Sequence, residues 1–368
     1  MNFLQTVKFK INLRRVLRIA IWWALAGAAD ACLMYLAGNS NYFEATIRYN
    51  FQHHFIANTV AFFFTGLIAG YISVYFLRDR IRQLSFVQSL IVVNMVIGTT
   101  VVFLSYLLYG FFFSWVDDLP IYDERVWQQA SLLFLSPLNI KNILFAFALA
   151  FMSILFLNIN DRYGPGVLMD YLLGKYHRPR QEERIFMFVD MKSSTTIAEQ
   201  LGDIAFHDLL NDYFKDLTDP ILYTRGEVYQ YVGDEVIVTW PTDKGLYNFN
   251  CVRCFFAMQE AISMHSTYYQ NKYGLVPEFK AGLHCGQVTT GEIGIIKRDI
   301  VHSGDVLNTT ARIQSKCNEL NVKVLLSKVL LDKLGLPPHR MLQKELGEID
   351  LRGKKEKIRL YTIEELTS

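Results

Sequence analysis

Net charge is what this chain most plainly lacks. Its 37 Lys and Arg nearly balance 35 Asp and Glu, leaving +2 with histidines neutral. A nucleic-acid polymer as partner would call for a basic excess, and none is present. A disulfide framework is missing as well. Cys32, Cys251, Cys254, Cys285 and Cys317 show no pairing pattern, which fits a reducing compartment. Cys251-Val-Arg-Cys254 is a lone CxxC in a helical-looking stretch. A zinc site would need two more ligands at matching spacing, and the sequence offers none.

What is abundant is apolar and aromatic. The 27 Phe and 20 Tyr crowd the first half. Four apolar stretches there reach the length of about 20 residues that spans a bilayer: Arg18–Ala37, Phe55–Leu77, Phe86–Phe113 and Ile140–Ile159. Basic residues cluster before the first (Lys8, Lys10, Arg14, Arg15, Arg18), between the second and third (Arg78, Arg80, Arg82) and after the fourth (Arg162, Lys175, Arg178, Arg180). The connection after the third is acidic, with Asp117, Asp118, Asp123 and Glu124. Basic loops stay inside, so both termini are expected to be cytoplasmic, in a plasma (inner) membrane protein contacting lipid. Ala-Gly-Ala-Ala near the end of the first stretch resembles a signal-peptide cleavage region. The stretch is long for one and three more follow, so an uncleaved helix is expected.

Asp30 lies inside the first stretch, Asn58 and Asn94 inside others. Such groups either mark function or supply interhelical hydrogen bonds. His53-His54 precedes the second stretch; adjacent positions point to different sides of a helix, so an interfacial pair is expected rather than a shared metal. Residues 1–160 thus form a four-span membrane domain. Gly164-Pro165-Gly166 stops or bends the last helix, Val167–Tyr176 reads as a short amphipathic segment, and residues 161–183 form a junction. That junction is either a coupling element or a plain tether.

From residue 184 to 368 the pattern alternates strand and helix. Ile185–Asp190 is a strand, Phe206 through Ile221 follows helical spacing, and Gly226–Val232 and Glu235–Trp240 form a hairpin. Leu246–Tyr273 reads as one helix and Glu278–Cys285 as a strand. This β-α-β-β-α-β order is the ferredoxin-like α+β arrangement, which sets the end of the first strand beside the hairpin. Asp190 and Asp234 become neighbours. Two such carboxylates repel unless a hard cation with oxygen ligands, Mg²⁺ or Mn²⁺, lies between them. Read alone, Asp234 is more often only a hairpin turn former, since Gly-Asp suits a hairpin. Lys192-Ser193-Ser194-Thr195 opens a helix whose free N–H groups can receive phosphate oxygens.

Several segments together resemble the catalytic domain of class III nucleotidyl cyclases. They are Phe188-Val-Asp190-Met-Lys-Ser-Ser-Thr195, Val232-Gly-Asp234-Glu, Gly282-Leu-His-Cys-Gly286 with Gly291-Glu-Ile-Gly294, and Gly304-Asp-Val-Leu-Asn308-Thr-Thr-Ala-Arg312. The resemblance covers roughly residues 184 to 363. It implies two metal ions per site, held by Asp190, Asp234 and the backbone carbonyl of Met191. One lowers the pKa of the ribose 3′-hydroxyl and the other holds the β- and γ-phosphates. The hydroxyl attacks the α-phosphate and pyrophosphate leaves. Asn308 would orient the ribose and Arg312 would neutralise charge at the α-phosphate. A basic residue, Lys354 or alternatively Arg352, would reach the terminal phosphates. The family builds each site at a dimer interface, with the aspartates from one subunit and the Asn/Arg pair from the other, so this chain is expected to form a homodimer through its catalytic domain and membrane helices.

The pattern departs from the family at base recognition. Adenylyl cyclases typically carry Lys, and Asp or Thr, where this chain has Gln230 and Val301; guanylyl cyclases carry Glu and Cys. ATP is the expected substrate, with GTP as alternative. Rival readings are a diguanylate cyclase, a degenerate nucleotide-binding module and a transporter with a regulatory domain. A diguanylate cyclase has no counterpart of Asn308-x-x-x-Arg312, degenerate copies usually lose an aspartate or the arginine, and four spans with few charges make a poor transporter.

Overall fold

The computed structural model describes residues 3–36, 51–77, 85–163, 170, 173–296, 298–336, 341–349 and 357–365. The chain divides into two compact units, Met1–Arg162 and Tyr163–Ser368.

The described elements of the first unit are helices: α1 Phe3–Leu36, α2 Phe51–Tyr71, a π-helical continuation Ile72–Leu77, α3 Phe86–Val116, α4 Glu124–Phe134 and α5 Pro137–Tyr163. Among the described residues, four segments are long and apolar enough to cross a membrane: Asn12–Leu36, Phe55–Tyr75, Leu90–Val116 and Asn139–Phe156. Trp23, Phe62, Ile97, Val101, Ala150 and Ile154 pack as the core between them. Large apolar side chains such as Trp22, Leu33, Phe103 and Leu144 face outward, as on helices solvated by lipid.

Asp30 is not alone in this bundle. The Lys141 ammonium lies 2.8 Å from both of its carboxylate oxygens, joining α5 to α1. Asn58 of α2 donates to the Gly27 carbonyl at 2.8 Å and reaches Asp30 Oδ2 at 3.5 Å. Asn94 instead donates to the Leu90 carbonyl of its own helix. The side chains of His53 and His54 lie outside the described residues, as do Arg78, Arg80, Arg82 and the Gly164-Pro165-Gly166 segment. Helix α4 is not foreseen in the sequence. It buries Val126 and Ala130 against Phe113, and Trp127 donates its indole N–H to the Ile121 carbonyl.

The second unit begins its sheet with β1 Arg180–Met191, followed by α6 Ser194–Leu201, α7 Asp203–Tyr223, and the hairpin of β2 Glu227–Val232 and β3 Glu235–Pro241. Helices α8 Thr242–Leu246, α9 Asn250–Met264 and α10 Ser266–Tyr273 lead to β4 Phe279–Ile293 and β5 Asp299–Ser303. Then come α11 Asp305–Glu319, β6 Val324–Ser327, α12 Lys328–Leu334, β7 Met341–Ile349 and β8 Ile358–Glu365. The sheet runs β2-β3-β1-β4-β6-β8-β7, with β5 attached to β4. Its first four strands carry the expected ferredoxin-like arrangement, with β1 antiparallel to both β3 and β4.

Two sequence boundaries need correction. The helix expected over Leu246–Tyr273 is broken, because Asn248 (φ 49°) and Phe249 (φ 56°) adopt left-handed backbone inside it. The first strand starts at Arg180 rather than Ile185. Its polar leading residues pair with Thr290 to Gly286, outside the apolar run that marks the strand in sequence.

The core lies between the sheet and its helices. Ile185, Met187, Val189 and Met191 alternate toward Leu209, Tyr213, Phe255 and Met258. On the opposite sheet face Phe186, Phe188, Ile237 and Val288 pack against Val306 of α11.

Candidate active site

Strand pairing alone brings the acidic residues together. Asp190 is the register partner of Glu235 across β1 and β3. Asp234 precedes Glu235 in the tight β2–β3 turn, where Gly233 takes φ 62° at no steric cost. On its other side Asp190 is the register partner of Lys280 on β4. The Lys280 ammonium is 3.1 Å from Asp190 Oδ2, and the Gln314 amide donates to the same oxygen at 3.1 Å.

Burial is the main influence on these groups. It raises the Asp190 pKa; the Lys280 contact opposes this, and the Asp234 charge adds to it. Glu235 is pushed up to about 7, by burial first and then by the charges of Asp190 and Asp234. Tyr213 is raised well above an ordinary phenol, again by burial and then by the same two aspartates. Among the described residues, Asp234 Oδ2 and the Tyr213 hydroxyl are buried polar atoms with no hydrogen-bond partner.

This donor set fits a hard divalent cation. Crowded carboxylates supply negative charge, and an orphaned carboxylate oxygen supplies a ligand without a rival. No three His, Cys, Asp or Glu side chains form a ready cage among the described residues.

Beyond Met191, which is 1% exposed, the chain turns through Ser193 in left-handed backbone (φ 57°). Helix α6 starts at Ser194 with no side-chain cap, so its first N–H groups stay available for an anion. Ser193 and Thr195 are exposed and Ser194 is half-buried.

Asn308 and Arg312 share one face of α11, which starts at Asp305 after Gly304. Gln314 lies roughly 200° round the helix from Arg312 and 240° from Asn308, at 100° per residue. Gln314 faces the Asp190 of the same chain, so Asn308 and Arg312 face away from it. Among the described residues, neither side chain has a hydrogen-bond or ion-pair partner.

The two positions expected to read the base flank a pair of rings tilted at 42° to each other. Tyr229 and His302 have ring centroids 4.9 Å apart. Gln230 follows the first and Val301 precedes the second; Gln230 is exposed and Val301 half-buried. Burial, then the Arg184 charge, drives His302 down to about 4, so its ring is neutral near pH 7. Lys354 and Arg352 lie outside the described residues.

Sequence reading missed Lys280, Gln314, Glu235 and Tyr213. Once β1 and β4 are paired, register exposes Lys280, and the acidic residue after Asp234 announces Glu235. Tyr213 passes for one more apolar contact on its helix. Gln314 carries no sequence signal, because its partner is 124 residues away.

Residues 177–365 match the family described as Adenylate and Guanylate cyclase catalytic domain. The chain belongs to this family. Adenylate cyclase 2 of Rhizobium meliloti (strain 1021) is 36% identical over 225 residues, covering 61% of this chain and 62% of that protein. The adenylate cyclase of Anabaena cylindrica is 26% identical over 184 residues, covering 48% of this chain and 36% of its own. A solved bacterial light-regulated adenylyl cyclase superposes with a TM-score of 0.49 at 21% identity, covering 66% of each chain. The chain therefore spans under two thirds of the length of either relative.

Proposed function

We propose that this protein is a membrane-anchored adenylyl cyclase that converts ATP to cyclic AMP and pyrophosphate in a homodimer. The carrying observation is the convergence of Asp190 and Asp234 at the β1 end and the β2–β3 turn, with an orphaned Asp234 oxygen beside them. Asp190, Asp234 and the Met191 carbonyl would hold two divalent ions. When bound, such ions acidify the ribose hydroxyl and neutralise phosphate charge.

The protein's own groups do the rest. The uncapped start of α6, Ser193 to Thr195, receives phosphate oxygens through backbone N–H groups. Arg312 neutralises charge gathering at the α-phosphate, and Asn308 fixes the ribose. Both face away from the aspartates of their own subunit, which favours a site shared between two copies. Lys354, or Arg352, would take the terminal phosphates.

ATP is favoured over GTP because Gln230 and Val301 lack the Glu/Cys pair of guanylyl cyclases, and the first relative above is an adenylate cyclase. The Gln230 amide can pair with either purine by rotating, so discrimination should be modest. The membrane unit anchors the enzyme and is proposed to regulate it through residues 161–183. Product analysis of purified protein with Mn²⁺ and ATP or GTP tests the reading. Cyclic AMP from ATP is expected, at higher kcat/KM than cyclic GMP from GTP. Gln230→Glu should shift the ratio toward GTP, because a carboxylate accepts from the guanine N1–H and N2–H. A wild-type preference for GTP overturns the substrate, and absence of both cyclic products overturns the activity.

A further inference from the structure

Asp190 has two partners on one oxygen, and they differ in kind. Lys280 brings a charge that any arriving cation must displace or tolerate. Gln314 brings a neutral N–H donor that leaves the carboxylate charge intact. We infer that Gln314 is a positioning residue for metal binding: its amide locks the Asp190 carboxylate with Oδ2 toward α11 and Oδ1 free for the ion. This rests on the active-site reading above.

Three observations carry it. The hydrogen bond is 3.1 Å and ends on Asp190 itself. Gln314 is only 6% exposed, so its amide is not a solvated surface group that meets Asp190 by chance. Its backbone is clamped as well. A Cβ at Gly282 of β4 would sit 2.7 Å from Gln314 Cα, so strand and helix touch with nothing between them. Gly282 is two residues beyond Lys280 on the same strand and therefore on the same sheet face. The strand that aims Lys280 also fixes the root of Gln314.

A carboxylate with a free side-chain torsion must be ordered when the ion arrives. One already held by an outer donor is not, and loss of such partners typically weakens metal affinity roughly 10- to 100-fold. Asn308 and Arg312, on the opposite face of α11, should contribute nothing to that affinity.

The test is Mn²⁺ binding to the full chain in lipid nanodiscs, without nucleotide, followed by the spin-resonance signal of free Mn²⁺. Gln314→Met keeps the length and removes the donor. Gln314→Asn keeps the amide but cannot reach. Both are expected to weaken Mn²⁺ binding by roughly 10- to 100-fold. Arg312→Ala should bind as wild type does. The Mn²⁺-induced rise in melting temperature should shrink in both Gln314 variants, whereas a purely structural role would lower melting equally with and without the ion. Wild-type affinity in a folded Gln314→Met, or in Gln314→Asn should the first variant not fold, overturns the inference. Loss of binding in Arg312→Ala overturns it too. Failure of wild type to bind Mn²⁺ saturably, or Asp190→Asn binding as wild type does, sinks the active-site reading instead.

Discussion

Asp190 and Glu235 are directly opposed across two neighbouring strands, with Asp234 one residue from Glu235. Like charges so placed destabilise a sheet. The folded-state pKa of Glu235, about 7, lies above the 4.5 of a free glutamate. Folding is therefore favoured by this group below pH 4.5, and the advantage is lost as pH rises through about 7. Asp190 shifts in the same direction. Without divalent ions, Glu235→Gln should be more stable than wild type at pH 8, by about 1 kcal/mol once solvent screening of a half-exposed carboxyl is allowed for. The gap should close toward pH 4.5. Melting curves at several pH values, read through buried Trp240, decide it. A gap that does not grow with pH rejects the coupling.

The opposed faces of α11 lead to a second expectation. Asp190→Ala and Arg312→Ala should each abolish activity, by 100-fold or more. In a mixed dimer one site collects both lesions and the other none. Co-expression should restore up to half the activity of each wild-type dimer per mixed dimer formed. Mixed dimers that form and stay inactive would rule out a shared site.

The Asp30–Lys141 pair predicts a non-additive pattern in the first unit. Asp30→Asn leaves a partly buried ammonium without its counter-ion, and Lys141→Met leaves the carboxylate. Each single change should cost about 1–3 kcal/mol, and the double variant should cost less than the two costs summed. Melting in detergent measures all four proteins. Additive losses would mean the two groups act independently.

Topology supplies a fourth test. A cysteine placed between Asp117 and Glu124 should react with an impermeant reagent in intact cells, and one placed near Lys10 should not. The reverse labelling would invert the orientation.

How far the sequence could lead varies from residue to residue. Asp190 and Asp234 were legible as neighbours because a β-α-β-β-α-β order admits few sheets, and strand order fixes adjacency. The four helices long and apolar enough to cross a membrane were legible because apolar length is a local property. Helix α4 was not, because its 11 residues are amphipathic and follow an acidic loop. The break before α9 depends on two left-handed residues, Asn248 and Phe249, that composition does not mark. Lys280 and Gln314 arrive at Asp190 from 90 and 124 residues away, so no window along the chain contains the contact.

The four cysteines of the second unit have a practical consequence. Cys251, Cys254, Cys285 and Cys317 are all buried, and burial raises each thiol, Cys254 to about 12. Thiolate is the reactive form, so maleimides should pass these four by while the domain is folded. Cys32 is the one exposed thiol, and it lies in Asn12–Leu36, a segment apolar enough to cross a membrane, where a water-soluble probe would not partition. The native chain should thus be nearly thiol-silent, which a maleimide titration of the folded protein checks. Reporter cysteines for spin labels or fluorophores can be introduced singly, without first stripping the core of side chains it packs around.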